Sequence, residues 1–273
     1  MLSRKQKHVL LKFFSMFSVI RGINILIVVL AQYFTSIYIL APDVPLGEII
    51  FDVKLLNIVI ATAAAIAGGY IINNFYDSEK DLINRPQKSM LDRLVSQKTK
   101  LYFFIFLVLI VVSSTIQVSI RAFIFFLIYV FGIWLYSHKL KRYPSIGVFS
   151  ATMLTILPFF AVFVYFKNFS KIIFVHAFFL FLVIMIRELL KDLQSMKGAV
   201  VHNYDTFPIV YGEKKTKLVC LFLLTLTIFP IIILFSFPAL SYMRYYFYIV
   251  LIVFFFLGIY LWKSSELKHY RRM

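Results

Sequence analysis

Runs of about twenty almost wholly apolar residues recur along the whole 273-residue chain, and they leave few folds open. In hydrocarbon every backbone N–H and C=O must be bonded internally, so runs of this length cross a membrane as α-helices. The sequence therefore predicts an all-α, polytopic membrane helix bundle of eight, at most nine, transmembrane helices. The spans fall at about 13–40, 55–76, 101–118, 121–137, 145–166, 172–192, 217–237 and 243–262. With 62% hydrophobic and only 15% charged residues, an ordinary soluble domain is excluded. No Ser- or Gly-rich linker interrupts the chain, so residues 1–273 are expected to form a single domain. The basic start, MLSRKQKHVL, runs into the first span without a small-residue cleavage site and is expected to be retained.

The net charge of +17 would suit a nucleic-acid binder, but its distribution does not. Of the 29 Lys and Arg residues, 23 fall on one side of the predicted membrane and five on the other, with Arg21 inside the first span. That asymmetry is the signature of cytoplasmic loops and of attraction to anionic headgroups. It predicts cytoplasmic termini, an inner (bacterial) membrane and contact with membrane lipid, with no nucleic-acid partner. The two longest cytoplasmic loops, about 77–100 and 193–216, are where chemistry is expected.

The segment NNFYDSEKD, residues 73–81, runs from the end of the second span into the first of these loops. Asn74, Asp77 and Asp81 stand at i, i+3 and i+7, on one face of a helix. Carboxylates at the edge of a membrane are costly, and two on one face suit a bound cation. The alternative is a solvated helix end. Asn84, Arg85 and Pro86 then leave the helix through a Pro-bearing turn. A weaker echo of the spacing closes the sixth span, where Asp192, Ser195 and Ala199 occupy the corresponding positions. Two such helix ends facing one cytoplasmic chamber would hold Mg²⁺ against a diphosphate, with Lys and Arg neutralising the remaining charge. Arg187 and Lys191, one turn apart beside Glu188 and Asp192, are candidates for that work, or an ordinary positive-inside flank. Arg21, with Asn24 one turn on, needs a partner if it is buried, and a phosphate would serve. Tyr136 and Lys141, at the end of the fourth span, could also reach phosphate oxygens. The lone cysteine, Cys220, and His176 of the sixth span read as core residues. No two histidines have metal-ligand spacing.

These segments together resemble one family. GGYIINNFYDSEKDLINRP is similar to the first aspartate-rich motif of the UbiA superfamily of intramembrane prenyltransferases, NDxxDxxxD followed by a basic residue and Pro. Asn73, Asp77 and Asp81 match it, and Asn74 stands where Asp is usual. YSHKLKR resembles the YSxxxKR segment. RELLKDLQSMKGAVVHNYDTFPIVYG resembles the second motif, with Lys191, Asp192, Gly198, Thr206 and Pro208 matching and Ser195 and Ala199 replacing two carboxylates. The resemblance implies a bundle around a central cavity and transfer of a polyprenyl group from its diphosphate to a lipophilic acceptor, with Mg²⁺. It implies Asn74, Asp77, Asp81 and Asp192 as metal ligands, the three aspartates being catalytic. It implies diphosphate contacts from Arg21, Asn24, Asn73, Tyr136, Lys141, Arg187 and Lys191. The wording of the second motif is most like the branch that joins geranylgeranyl diphosphate to geranylgeranylglyceryl phosphate through an ether. Prenylation of an aromatic quinone precursor is the alternative, as is a homologue that binds prenyl lipid with impaired catalysis.

Overall fold

The computed structural model describes residues 4–84, 86–201, 204–240, 243–264 and 270. Arg85, His202 and His269 thus lie outside the described residues. Among the described residues every regular element is helical, and eight helices are long and apolar enough to span a membrane. Seven of them begin and end within a few residues of the spans predicted from sequence.

By its internal contacts the chain divides into two compact units, Met1–His138 with Leu157–Asn168, and Lys139–Ile156 with Phe169–Met273. The first unit contains α1 (Arg4–Val19), α2 (Gly22–Thr35), the short α3 (Leu46–Ile50), α4 (Val53–Asn84), α5 (Pro86–Asp92), α6 (Gln97–Val118) and α7 (Ile120–His138). Helix α8 (Pro144–Phe166) gives its first half to the second unit and its second half to the first. The second unit continues through α9 (Lys171–Gln194), α10 (Met196–Val201), α11 (Phe207–Tyr211), α12 (Glu213–Leu226), α13 (Ile228–Phe235) and α14 (Met243–Lys263).

The first span differs from the prediction. Hydropathy reads 13–40 as one helix, but α1 stops at Val19 and the span proper is Gly22–Leu40. Between them Arg21 takes a left-handed conformation (φ 52, ψ 54), which costs a non-Gly residue about 1 kcal/mol. Its N–H closes α1 on the Ser18 carbonyl, and its own carbonyl accepts the first bond of α2 from Asn24 N–H. The break is locked from the side. A Cβ on residue 22 would lie 2.0 Å from the Phe17 ring, so only Gly22 admits that packing. Arg21 therefore sits at the entrance of the span and not within it.

Helix α4 is the axis of the first unit. Its middle reads ATAAAIAGG over 61–69, and Ala61, Ala64, Ala65 and Ala67 are buried. Small side chains let neighbouring backbones approach where no hydrophobic force drives helices together. A Cβ on Gly69 would lie 2.8 Å from Cγ2 of Ile133 on α7. The N-terminus of α4 is capped by Asp52, whose Oδ1 accepts from the N–H groups of Lys54 and Leu55 at 2.9 and 3.2 Å, while Oδ2 accepts from Tyr165. Ser96 caps α6 in the same way, accepting from Thr99 N–H at 3.1 Å. Hydroxyls within the spans bond back to the preceding turn, as Thr62 to Ile58 O and Thr152 to Val148 O, which satisfies them without water.

The second unit packs α9 against α12, α13 and α14. Leu189, Leu193, Cys220 and Leu261 form one core cluster, and Phe179, Ile231, Leu234 and Phe247 another. Cys220 is fully buried, as predicted. His176 is a core residue too, its Nδ1 hydrogen-bonded to Ile172 O at 2.8 Å and its ring against Phe247. Large apolar side chains such as Phe106, Leu127, Phe229 and Phe256 remain exposed, the surface a lipid-embedded chain presents.

Candidate functional site

The C-terminal end of α4 carries the first motif. Helix α4 continues unbroken for 32 residues to Asn84, the point at which the sequence has the chain leave the helix, so the polar residues are presented from a regular helix. Asp77 is 8% exposed. Asn73, Asn74 and Asp81 are half-buried. Asp77 and Asp81, one turn apart, lie on one face by helical geometry.

That face begins earlier than the motif. Tyr70, Asn74, Asp77 and Asp81 follow the i, i+4, i+7, i+11 stripe of a single helix face. The Arg21 guanidinium lies over the Tyr70 ring, 4.9 Å from its centroid, and Asn24 Nδ2 donates to Tyr70 Oη at 3.3 Å. The structure thus brings Arg21 and Asn24 to the α4 face through a residue that sequence reasoning passed over. An arginine seated over an aromatic face is attracted by the ring and can still direct N–H donors from the edge of its guanidinium. At the end of α7, Tyr136 is half-buried, and His138 Nδ1 is hydrogen-bonded to Tyr76 Oη at 3.1 Å, tying that helix end to α4.

Two further residues escaped the sequence analysis. Lys100, in the first turn of α6, donates from Nζ to Asn74 Oδ1 at 2.8 Å. Asp92, at the end of α5, accepts from Asn74 Nδ2 at 3.5 Å and from Ser18 Oγ at 2.9 Å. Both are buried. The amide of Asn74, expected at a metal, is therefore engaged at both its oxygen and its nitrogen.

The second motif, in the other unit, is built differently. Glu188 is buried and accepts from Arg187 Nη1 at 3.3 Å and from Lys191 Nζ. Both basic side chains stay about half exposed while leaning on that carboxylate. Asp192, one turn on, is half-buried. Helix α9 ends at Gln194, and Ser195 leaves helical geometry (φ −100, ψ 9) with its N–H on the Lys191 and Asp192 carbonyls. Ala199 is fully buried, and its carbonyl accepts from Tyr204 N–H at 2.9 Å. Lys141 and Arg142 both lie over the Tyr204 ring, at 5.9 and 5.7 Å from its centroid. Asp205 beside it is exposed.

The donors fit a hard divalent cation. Among the described residues no three His, Cys, Asp or Glu side chains form a closed cage. Mg²⁺ does not need one: it binds through one or two carboxylates and completes its shell with water and substrate phosphates. Asp77 and Asp81 provide such a pair.

A family model described as the UbiA prenyltransferase family matches residues 22–272. The digeranylgeranylglyceryl phosphate synthase of Thermococcus gammatolerans is 30% identical over 186 residues, 67% of this chain and 66% of that protein. The synthase of the same name from Methanobrevibacter smithii is 28% identical over 76% of this chain and 72% of its own. The chain thus matches about two thirds of the length of these relatives. A solved structure concerning digeranylgeranylglyceryl phosphate synthase superposes with a TM-score of 0.71 at 23% identity, covering 96% of this chain and 91% of the other. A UbiA homologue from Archaeoglobus fulgidus bound to GPP and Mg²⁺ gives a TM-score of 0.73 at 12% identity, over 90% and 86% of the two chains. At these identities the structural likeness speaks for the fold.

Proposed function

The chain belongs to the UbiA prenyltransferase family, and from that premise we propose that it transfers a geranylgeranyl group from its diphosphate to geranylgeranylglyceryl phosphate, forming an ether. The observation that carries the reading is the Tyr70–Asn74–Asp77–Asp81 face at the inner end of a membrane-length helix, with Asp77 buried on it. The acceptor is inferred from the curated relatives, which are named as synthases of that lipid.

In this reading Asp77 and Asp81 would hold Mg²⁺, which when bound neutralises diphosphate charge and weakens the allylic C–O bond, and Asp192 is the acid of the second motif. Arg21, fixed on Tyr70, and Asn24 bind diphosphate oxygens from the start of α2. Asn73, Tyr136, Lys141, Arg187 and Lys191 supply further donors. As the C–O bond breaks, diphosphate leaves with the bonding electrons and positive charge spreads over the allylic carbons. The acceptor hydroxyl forms the new C–O bond to the terminal carbon and gives up its proton to the departing diphosphate. Low dielectric around the prenyl chain strengthens each of these electrostatic contacts.

Both units are taken as parts of one prenyltransferase domain, since the family match runs through both. The charge asymmetry of the loops supports an inner-membrane orientation with the motif-bearing helix ends and both termini cytoplasmic.

The test is incubation of the purified protein in lipid with radiolabelled geranylgeranyl diphosphate, Mg²⁺ and either geranylgeranylglyceryl phosphate or an aromatic quinone precursor. A labelled ether lipid from the first acceptor is the expected product. Label on the aromatic acceptor alone would reassign the substrate, and binding without turnover would leave a prenyl-lipid binder.

A further inference from the structure

The first motif contains a buried charge that prenyl transfer, as derived above, does not use. Lys100 is 2% exposed, and Asp92 is 5% exposed. An ammonium out of water needs acceptors and a countercharge. Asn74 Oδ1 provides the acceptor at 2.8 Å, and of the charges acting on the ammonium the Asp92 carboxylate is the negative one, opposed by the Arg93 cation. Asn74 Nδ2 turns to Asp92 Oδ2 at 3.5 Å, and Ser18 Oγ donates to Asp92 Oδ1 at 2.9 Å. Beside it, Ser15 Oγ donates to Leu91 O at 2.7 Å. One network therefore joins α1, α4, α5 and α6 through a single ammonium and a single carboxylate.

An amide oxygen already bonded to an ammonium is a poor ligand for a dication, because the two cations would repel across that one oxygen. We propose that Lys100 is the resident cation of residue 74: it withdraws Asn74 from the metal ligand set, makes it the anchor of α5, and leaves the metal to Asp77 and Asp81. Lys100 and Asp92 are then positioning residues of the first motif. The inference rests on the magnesium-dependent reading above, and its test separates the two.

The full-length protein in lipid nanodiscs is treated with a water-soluble amine-acetylating reagent, and labelling is read residue by residue by mass spectrometry. Exposed Lys98, two residues away, is the internal control. In the wild type Lys100 should label at least about tenfold more slowly than Lys98, and Asn74→Ala or Asp92→Asn should raise its labelling several-fold. Equal labelling of Lys98 and Lys100 in the wild type, which needs no variant, overturns the proposal. Mn²⁺ affinity is measured in parallel by electron paramagnetic resonance. Asn74→Ala and Asn74→Asp should each leave it within about threefold, the new carboxylate pairing with Lys100, whereas Asn74→Asp with Lys100→Met should tighten it about tenfold. A loss in Asn74→Ala as large as that in Asp77→Asn overturns the proposal. If the wild type binds no Mn²⁺, the metal reading of the motif falls, and labelling alone decides where Lys100 sits.

Discussion

The C-terminal ends of α4 and α9 begin from the same spacing and arrive at different electrostatics. At α4 the positions are Asn74, Asp77 and Asp81, on a helix that continues past them to Asn84. At α9 they are Asp192, Ser195 and Ala199, and the helix stops among them, at Gln194. An i, i+3, i+7 face exists only while helical geometry lasts, so the echo read in the sequence is not an echo of form. The charges differ as well. The first end keeps two carboxylates on one face. At the second, Glu188 is paired with Arg187 and Lys191, and Ala199 puts a buried methyl where the first end has Asp81. On the proposed reading the two ends divide the labour: cation binding is concentrated at α4, while α9 carries Asp192 beside mostly positive charge.

The largest expected effect tests that division. Asp77→Asn should lower the transfer rate by a few hundredfold at saturating Mg²⁺, in the range seen when a charge-stabilising group is removed, and Asp192→Asn by only about tenfold. Equal losses would make the two ends equivalent and break the comparison. Next in size is the attempt to restore the missing acid. Ala199→Asp would bury a carboxylate at a fully buried position and should destabilise the protein by about 3 kcal/mol, read as a fall in melting temperature of the detergent-purified chain. The corresponding change at the first end, Asn74→Asp, should cost less than about 1 kcal/mol, because Lys100 already sits 2.8 Å from that side chain.

Much of this was legible beforehand. Span positions follow from bilayer thickness, which hydropathy reports directly, so seven of the eight agree with the sequence. The first does not, because its break depends on the sign of φ at Arg21 and on a ring stacked over Gly22, neither of which alters hydropathy. Asp77 and Asp81 were visible as acids at an apolar boundary. Tyr70 sits on the same stripe and could have been found by extending the spacing one turn back, but a tyrosine near a membrane interface is ordinarily a belt residue. Lys100 and Asp92 carried no local signal: they reach Asn74 across 26 and 18 residues of chain, through a turn the pattern does not encode.

Smaller changes sharpen the comparison. Glu188→Gln removes the carboxylate shared by two cations that are about half exposed, so it should cost only about 1 kcal/mol of stability. Because it frees two positive side chains, it should also lower the KM for the prenyl diphosphate. Smallest of all, Tyr70→Phe keeps the ring beneath Arg21 and loses one 3.3 Å hydrogen bond from Asn24, which should raise that KM about twofold. Tyr70→Leu removes both contacts and should raise it more.

Diphosphate release measured against Mg²⁺ concentration, for the wild type and for Asp77→Asn with Asp81→Asn, is the most direct test of where the reaction is driven. The wild type should release diphosphate in step with ether-lipid formation and lose both on chelation of the metal. The double variant should bind the membrane and fold as before, yet release no diphosphate at any Mg²⁺ concentration. Release by the double variant at the wild-type rate would contradict the assignment of Asp77 and Asp81.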